Sequence, residues 1–399
     1  MKINDLEIRD GLKEEIINFR RYLHQNPELS NFEFNTTKVL KEELEKLGLE
    51  IVERKNKTGI VGIFKNPNNS ENCKTILIRA DIDALPMEEL TNCPYKSQTK
   101  NVMHSCGHDG HTAALLGAIK IILDNKDKIN GNIKFLFQHS EELGSGAKEW
   151  VDEGVLSNPN VDAVLGYHVM PIPEGKIGIK ENEMCAASTV FEILIKGVGG
   201  HGAYPHKNIN PIFIGTDIIQ KVPGMIINKF DALDSLVINF CTFNGGTKDN
   251  IVPESVRLSG TIRSLKNSVG KKAVEMLEKL SKNIAEIYDG EATVNILANI
   301  PAVENDSSLN KIIEISAKNI LGENSVIFLQ NASMGSEDFG HLKQKNIEGA
   351  YFYIGYYNED KKYTISNHNP QFDFDDSILF PLSLVTVETV INYFNRGDK

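Results

Sequence analysis

Four short stretches of the sequence concentrate side chains that bind metals and move protons. They are Asp81-Ile-Asp83, the run MHSCGHDGHT over 103–112, the quartet His139-Ser140-Glu141-Glu142, and His168. Cys106 and His108, two residues apart, cannot share one face of a helix but can converge from a loop, and both types are ligands of zinc-class cations. A cysteine and one histidine are weak grounds by themselves. Glu141 and Glu142 add weight, because adjacent carboxylates at a strand end repel unless a cation or a proton lies between them. The plainer alternative is a pair of glutamates at a solvated helix start. Two neighbouring carboxylates also permit a division of labour: one ligates a metal, and the other takes a proton from water and returns it to a leaving amine. The chemistry this suits is hydrolysis. His168 alone decides nothing, and His104 reads as an ordinary surface or loop histidine, since no spacing demands it. A closed structural zinc site would use four ligands, usually in C-x-x-C pairs, and the sequence has no such pair.

Such groups need a framework to bring them together. Residues 10–25 and 36–47 show helical spacing of apolar positions. The runs Gly59–Phe64, Thr75–Ala80, Ile133–Phe137 and Val161–Tyr167 read as buried strands, with helices at 112–124 and 145–154 between them. Three of these strands lead into the reactive groups: TILIRA into Asp81, IKFLFQ into His139, and VDAVLGY into His168. In an open parallel sheet, ligands bind beyond the carboxyl ends of the strands.

Near residue 185 the texture changes. Ser188–Lys196 alternates as a strand, 211–228 is helical, Ser235–Phe243 and Glu254–Arg263 are strands, 268–288 is an amphipathic helix, and Ala292–Leu297 is a strand. That order is βαββαβ, the split βαβ of a ferredoxin-like unit. An α/β texture then returns, with a helix near 308–321, a strand at Ala350–Ile354 and a last helix near 376–394. The expected fold is therefore α/β: a discontinuous catalytic domain with a mostly parallel sheet, over 1–184 and 297–399, and an inserted α+β domain over 185–296.

The bulk properties exclude other classes. A chain of 399 residues with a net charge of −11 and scattered basic residues is not suited to nucleic acid, whose phosphates call for clustered Lys and Arg. The first 23 residues are charged and amphipathic, unlike a secretory signal. The apolar run AALLGAIKIIL is too short for a membrane span and carries Lys120. These features point to a cytoplasmic protein with no membrane partner. Five cysteines at irregular positions do not form a disulfide framework, and buried free thiols are the expectation for those other than Cys106.

Nine motifs in order along nearly the whole chain resemble the peptidase M20 family, in the amidohydrolase branch that includes hippurate hydrolase and the N-acyl-L-amino acid amidohydrolases. They include RRYLHQNPELSNFEF, RADIDALPMEE, MHSCGHDGHTAALLGA, FQHSEELGSGAKEWVDEGVL, GVGGHGAYPH, GSEDFG and NHNPQFDFDD. The resemblance implies a zinc-exopeptidase-like catalytic domain with two divalent metals per subunit, zinc foremost, with manganese, nickel and cobalt compatible. Cys106 would bridge the metals, with His108, Glu142, His168 and His368 completing the ligand set. It also implies that Glu141 is the general base and that Asp83 orients a metal-bound histidine. Asn250 and Arg263 would hold the substrate's free carboxylate. His201, in a homodimer formed through the inserted lid and dimerisation domain, would polarise the scissile carbonyl in the partner's site. The implied reaction is hydrolysis of the amide bond of N-acyl amino acids. N-acetyl-diaminopimelate deacetylation and small-peptide hydrolysis are alternatives, and a non-catalytic metal-binding protein is the rival class. Two departures stand out: His139-Ser140 where relatives carry Pro-Ala, and Ser105 where they carry alanine. For His139 a solvent-facing position is the expectation.

Overall fold

Hydrophobic runs dense in β-branched residues form the strands of an eight-stranded sheet. IVGIF at Ile60–Phe64 and TILIRAD at Thr75–Asp81 are buried along their whole length, as strands covered on both faces must be. The computed structural model describes residues 2–3, 5–66 and 73–396; the expected domain ends at Met1 and 397–399 lie outside the described residues. In spatial order the sheet runs 326–328, 177–179, 348–357, 163–173, 75–81, 132–138, 60–64 and 50–53. Its centre is parallel: Thr75–Asp81 pairs in parallel with both Asn132–Gln138 and Ala163–Pro173, which pairs in parallel with Glu348–Tyr357. Ile60–Phe64 departs from the parallel pattern. It enters from Glu50–Glu53 by a short hairpin connection and runs antiparallel to Asn132–Gln138, so the sheet is mixed but mostly parallel.

The helix His108–Asp124 lies almost wholly in the core, packed by Leu12–Gln25 and Leu379–Phe394. It begins four residues before the expected start at 112. Gly107 makes that start possible: its φ is 86°, and a Cβ there would stand 2.3 Å from Val169 Cγ2, so only glycine fits. The segment Asp376–Phe394 is long and apolar enough to cross a membrane by length and composition alone. In the fold its Leu379, Leu382, Val385, Val387 and Val390 are buried in the hydrophobic core.

Contacts divide the chain into two compact units: 1–182 with 304–331 and 338–399, and 183–303 with 332–337. The boundary expected at 296 falls inside the strand Glu291–Ile300, which the second unit contains entire. That unit has a four-stranded antiparallel sheet in the order 236–244, 255–264, 187–196, 291–300. Two helices, Pro211–Lys229 and Asn267–Ile287, pack on it through Ile214, Ile218, Leu277 and Ile284 against Phe191, Ile193, Leu258 and Ile262. The βαββαβ order and this strand order define a ferredoxin-like unit.

Of the four cysteines other than Cys106, only Cys185 is buried; Cys73 and Cys93 are half-buried and Cys241 is exposed, all with free thiols.

Candidate metal centre and active site

Parallel pairing in register brings the ends of neighbouring strands to one edge. Asp81 stands beside Gln138, so the segments 81–83 and 139–142 emerge together. His168 is inside its strand rather than beyond it, opposite Tyr353, because Ala163–Pro173 runs on past the expected end. From the C-terminal segment, His368 N–H donates to the Ser105 carbonyl at 2.8 Å, and Asn367 Nδ2 donates to the Cys106 carbonyl at 3.3 Å. His368 adopts φ 61° and Ser140 φ 52°, the left-handed region that non-glycine residues occupy at a cost and mostly where surroundings hold them.

The expected ligands meet. Cys106 Sγ lies 3.3 Å from His168 Nε2 and 3.2 Å from His368 Nε2. Glu142 Oε1 lies 3.3 Å from His368 Nε2 and 3.9 Å from His108 Nε2. Two groups, Cys106-His108-His168 and Cys106-Glu142-His368, share the thiol, and a third joins His108 with Glu141 and Glu142; within each, the ligand atoms lie within 4.8 Å of one another.

Two of the three imidazoles are aimed by their other nitrogen. His168 Nδ1 lies 2.7 Å from the Val169 carbonyl and His108 Nδ1 lies 2.9 Å from the Asp83 carbonyl. Donation to these carbonyls leaves both Nε2 lone pairs facing the cluster. The Asp83 carboxylate accepts the Glu142 N–H at 3.0 Å and the Ser30 hydroxyl at 2.7 Å, so through its carbonyl and its carboxylate one buried residue holds two of the proposed ligands. Burial opposes its charge, but His108 and the Glu142 N–H hold the Asp83 carboxyl below the usual range.

These residues fit a divalent cation. His108 Nε2 is buried with no hydrogen-bond partner among the described residues and lies 3.9 Å from Glu142 Oε1. An unmet buried polar atom costs about 1–3 kcal/mol, which a cation between them would relieve. Burial and the Glu142 charge push the Cys106 thiol up, while hydrogen bonds to Cys106 and Glu142 raise His368 to about 10. The metal-free cluster thus retains protons that a cation would displace. One thiolate, three imidazoles and one carboxylate suit the zinc class.

Several supporting residues carried no sequence signal of their role. Asp338, in the motif GSEDFG, accepts from Arg79 Nη2 at 2.9 Å, Gln138 Nε2 at 2.8 Å and the Ala147 N–H at 2.9 Å. Glu33 accepts the Ser140 N–H at 2.9 Å and the Thr58 hydroxyl at 2.7 Å, pinning the loop that carries Glu141. Burial raises the Glu33 carboxyl to about 7, against the Thr58 hydrogen bond. Asp81 pairs with Arg79 at 2.7 Å and His111 at 2.6 Å.

Both histidines expected at the surface are buried, although His104 does lie in a loop. His104 is buried, and neither ring nitrogen has a hydrogen-bond partner among the described residues. His139 is 1% exposed, not solvent-facing, and accepts from Arg54 Nη1 at 2.7 Å. Arg54 is itself held by Glu149 at 2.5 Å and Glu153 at 2.6 Å, so His139 completes a charged network that chain-local spacing could not show. At Ser105 the backbone carbonyl accepts the His368 N–H, and the side-chain hydroxyl is buried with no hydrogen-bond partner among the described residues.

The remaining candidates belong to the second unit. Gly200-His201 pairs with Ile251-Val252, and the Asn250 carbonyl accepts the Gly202 N–H at 2.9 Å, so His201 and Asn250 are neighbours on one ladder. Arg263 lies on the four-stranded sheet opposite Ser188 and Val237 and donates to the Met334 carbonyl at 3.3 Å.

This constellation on an α/β sheet with a ferredoxin-like insertion has close counterparts. The chain belongs to peptidase family M20/M25/M40, which matches residues 77–386. Thermostable carboxypeptidase 1 of Saccharolobus solfataricus is 36% identical, covering 96% of this chain and 97% of its own. Hippurate hydrolase of Campylobacter jejuni is also 36% identical, covering 94% of each. The crystal structure of a dinuclear metal-binding M20 peptidase from Bacillus subtilis matches with a TM-score of 0.83 at 30% identity, covering 98% of this chain and 100% of that one.

Proposed function

We propose that the chain hydrolyses the amide bond of N-acyl amino acids, with two divalent cations, zinc foremost, held by Cys106, His108, Glu142, His168 and His368. The observation that carries this reading is the Cys106 thiol lying 3.3 Å and 3.2 Å from two imidazoles that arrive from distant segments. The B. subtilis dinuclear peptidase and the C. jejuni hippurate hydrolase support it. Bound there, a cation pair supplies Lewis acidity and lowers the pKa of water from about 16 toward about 7.

The chain's own groups do the rest. Glu141, beside His108 and Glu142, takes a proton from the attacking water and delivers it to the departing amine. Asp83 holds the His108 ring and the Glu142 backbone in place. Arg263 and Asn250 recognise the substrate's free carboxylate, for which a guanidinium is suited. His201 polarises the scissile carbonyl, and the second unit serves as lid and as the contact of a cytoplasmic homodimer.

Hydrolysis of N-benzoylglycine, abolished by chelation and restored by zinc or manganese, is the test. Chelated protein that hydrolyses it at an unchanged rate removes the metal-dependent reading. Likeness to thermostable carboxypeptidase 1 favours small-peptide hydrolysis as the second reading, and a panel of N-benzoyl, N-acetyl and dipeptide substrates separates the two.

A further inference from the structure

The loop between Ala84 and Cys106 carries a second convergence of ligand-type side chains. Glu89 and Cys93 of this loop meet His24 of the helix Leu12–Gln25, with ligand atoms mutually within 4.8 Å. None of the three belongs to the centre at Cys106.

The ring of His24 is already oriented. Its Nδ1 lies 2.8 Å from Asp109 Oδ2, both fully buried, and Arg20 Nε fixes the same carboxylate at 2.9 Å. Donation of the Nδ1 proton to Asp109 turns the Nε2 lone pair toward Glu89, the carboxylate–histidine arrangement typical of metal ligands. Glu89 is oriented as well, since Oε2 accepts the Ser97 N–H at 2.7 Å and Oε1 faces the cluster. The Thr91 hydroxyl donates to that Oε1 and lies 3.3 Å from Cys93 Sγ.

The spacing is informative. His24 Nε2 is 3.4 Å and Cys93 Sγ is 3.5 Å from Glu89 Oε1. A charge-assisted N–H···O bond closes to about 2.7–2.9 Å. By contrast, a tetrahedral zinc with Zn–N and Zn–O near 2.0–2.1 Å and Zn–S near 2.3 Å sets its ligand atoms about 3.4 Å (N···O) and about 3.5 Å (S···O) apart. Both separations match edges of that tetrahedron.

We propose that His24, Glu89 and Cys93 form a further binding site for a divalent cation of the zinc class. The ion clips the loop preceding Cys106 to the helix Leu12–Gln25 and displaces one proton from the imidazolium and one from the thiol. One carboxylate, one thiolate and one neutral imidazole balance its charge. The arrangement it replaces is a His24 imidazolium between Asp109 and Glu89 beside a protonated thiol, which binds no ion.

Zinc content and cobalt spectra decide between them. Wild-type protein exposed to zinc and desalted is expected to retain one ion per chain more than Cys93→Ser, and Glu89→Gln to show the same loss. Cobalt(II) added to Cys106→Ser protein, whose Cys93 is native, is expected to give a thiolate-to-cobalt charge-transfer band that the Cys106→Ser/Cys93→Ser double variant lacks. Equal zinc in wild type and Cys93→Ser overturns the proposal, as does absence of the band from Cys106→Ser or its persistence in the double variant. Because the cobalt measurement on Cys106→Ser leaves this site intact, neither a misfolded Cys93 variant nor failure of the Cys106 centre is mistaken for failure here.

Discussion

Cys106 Sγ stands 3.2 Å from His368 Nε2 although 262 residues of chain separate them. The same sulfur lies 3.3 Å from His168 Nε2, so one thiol stands within reach of two imidazoles from distant segments.

Cys106→Ala removes the atom common to both ligand groups. Loss of an outer-shell partner typically weakens metal binding by about 10–100-fold, so loss of the shared ligand is expected to exceed that. Titration with zinc against a competing chelator measures it, and unchanged affinity removes Cys106 from the centre.

Glu141→Ala deletes the proposed proton carrier and leaves all five proposed ligands. Metal content is expected to stay at the wild-type level while kcat falls by about 10²–10⁴-fold. Near-normal turnover excludes Glu141 from proton transfer.

Asp338→Ala strips a carboxylate from a fully buried ion pair with Arg79 at 2.9 Å and leaves Gln138 and the Ala147 N–H without that acceptor. Breaking such a pair costs about 3–5 kcal/mol. Urea denaturation of the metal-free protein reads the loss, and a change under about 1 kcal/mol contradicts the assigned role.

The pH dependence of stability should carry a signature of His139. Burial, then the Arg54 charge, lowers this imidazole to about 4, whereas an unfolded histidine titrates near about 6.5. Its contribution is therefore fully present above about pH 6.5 and lost progressively as pH falls to about 4, by about 3 kcal/mol in all. His139→Gln keeps a hydrogen-bond acceptor for Arg54 without the titration. The stability difference between wild type and His139→Gln is expected to shift in the variant's favour across that window, and parallel curves refute the assignment.

His201→Ala is expected chiefly to lower kcat. Mixing it with Cys106→Ala protein should partly restore activity through mixed dimers if His201 serves a partner's site. A mixture as inactive as its components argues against sharing between subunits.

The local groupings were legible along the chain. Residues 103–112 and 138–142 crowd reactive types into spacings the covalent chain itself sets, and the βαββαβ order follows from periods of 2 and 3.6 that each segment shows alone. Contacts bridging hundreds of residues were not legible from local pattern. Nothing near His368 indicates that its N–H meets the Ser105 carbonyl, and its likeness to a family motif was the only pointer. Asp338 lies in GSEDFG without any mark that it neutralises Arg79, and His139 reads as a surface residue until Arg54 is seen against it. The antiparallel run of Ile60–Phe64 likewise depends on which neighbour it pairs with, since a buried strand has the same apolar pattern in either direction. Residue types and their periodicity were thus determined by sequence alone. Burial, charge pairing and the meeting of His24, Glu89 and Cys93 were decided by packing, because desolvation and Coulomb interactions depend on distance in space rather than along the chain.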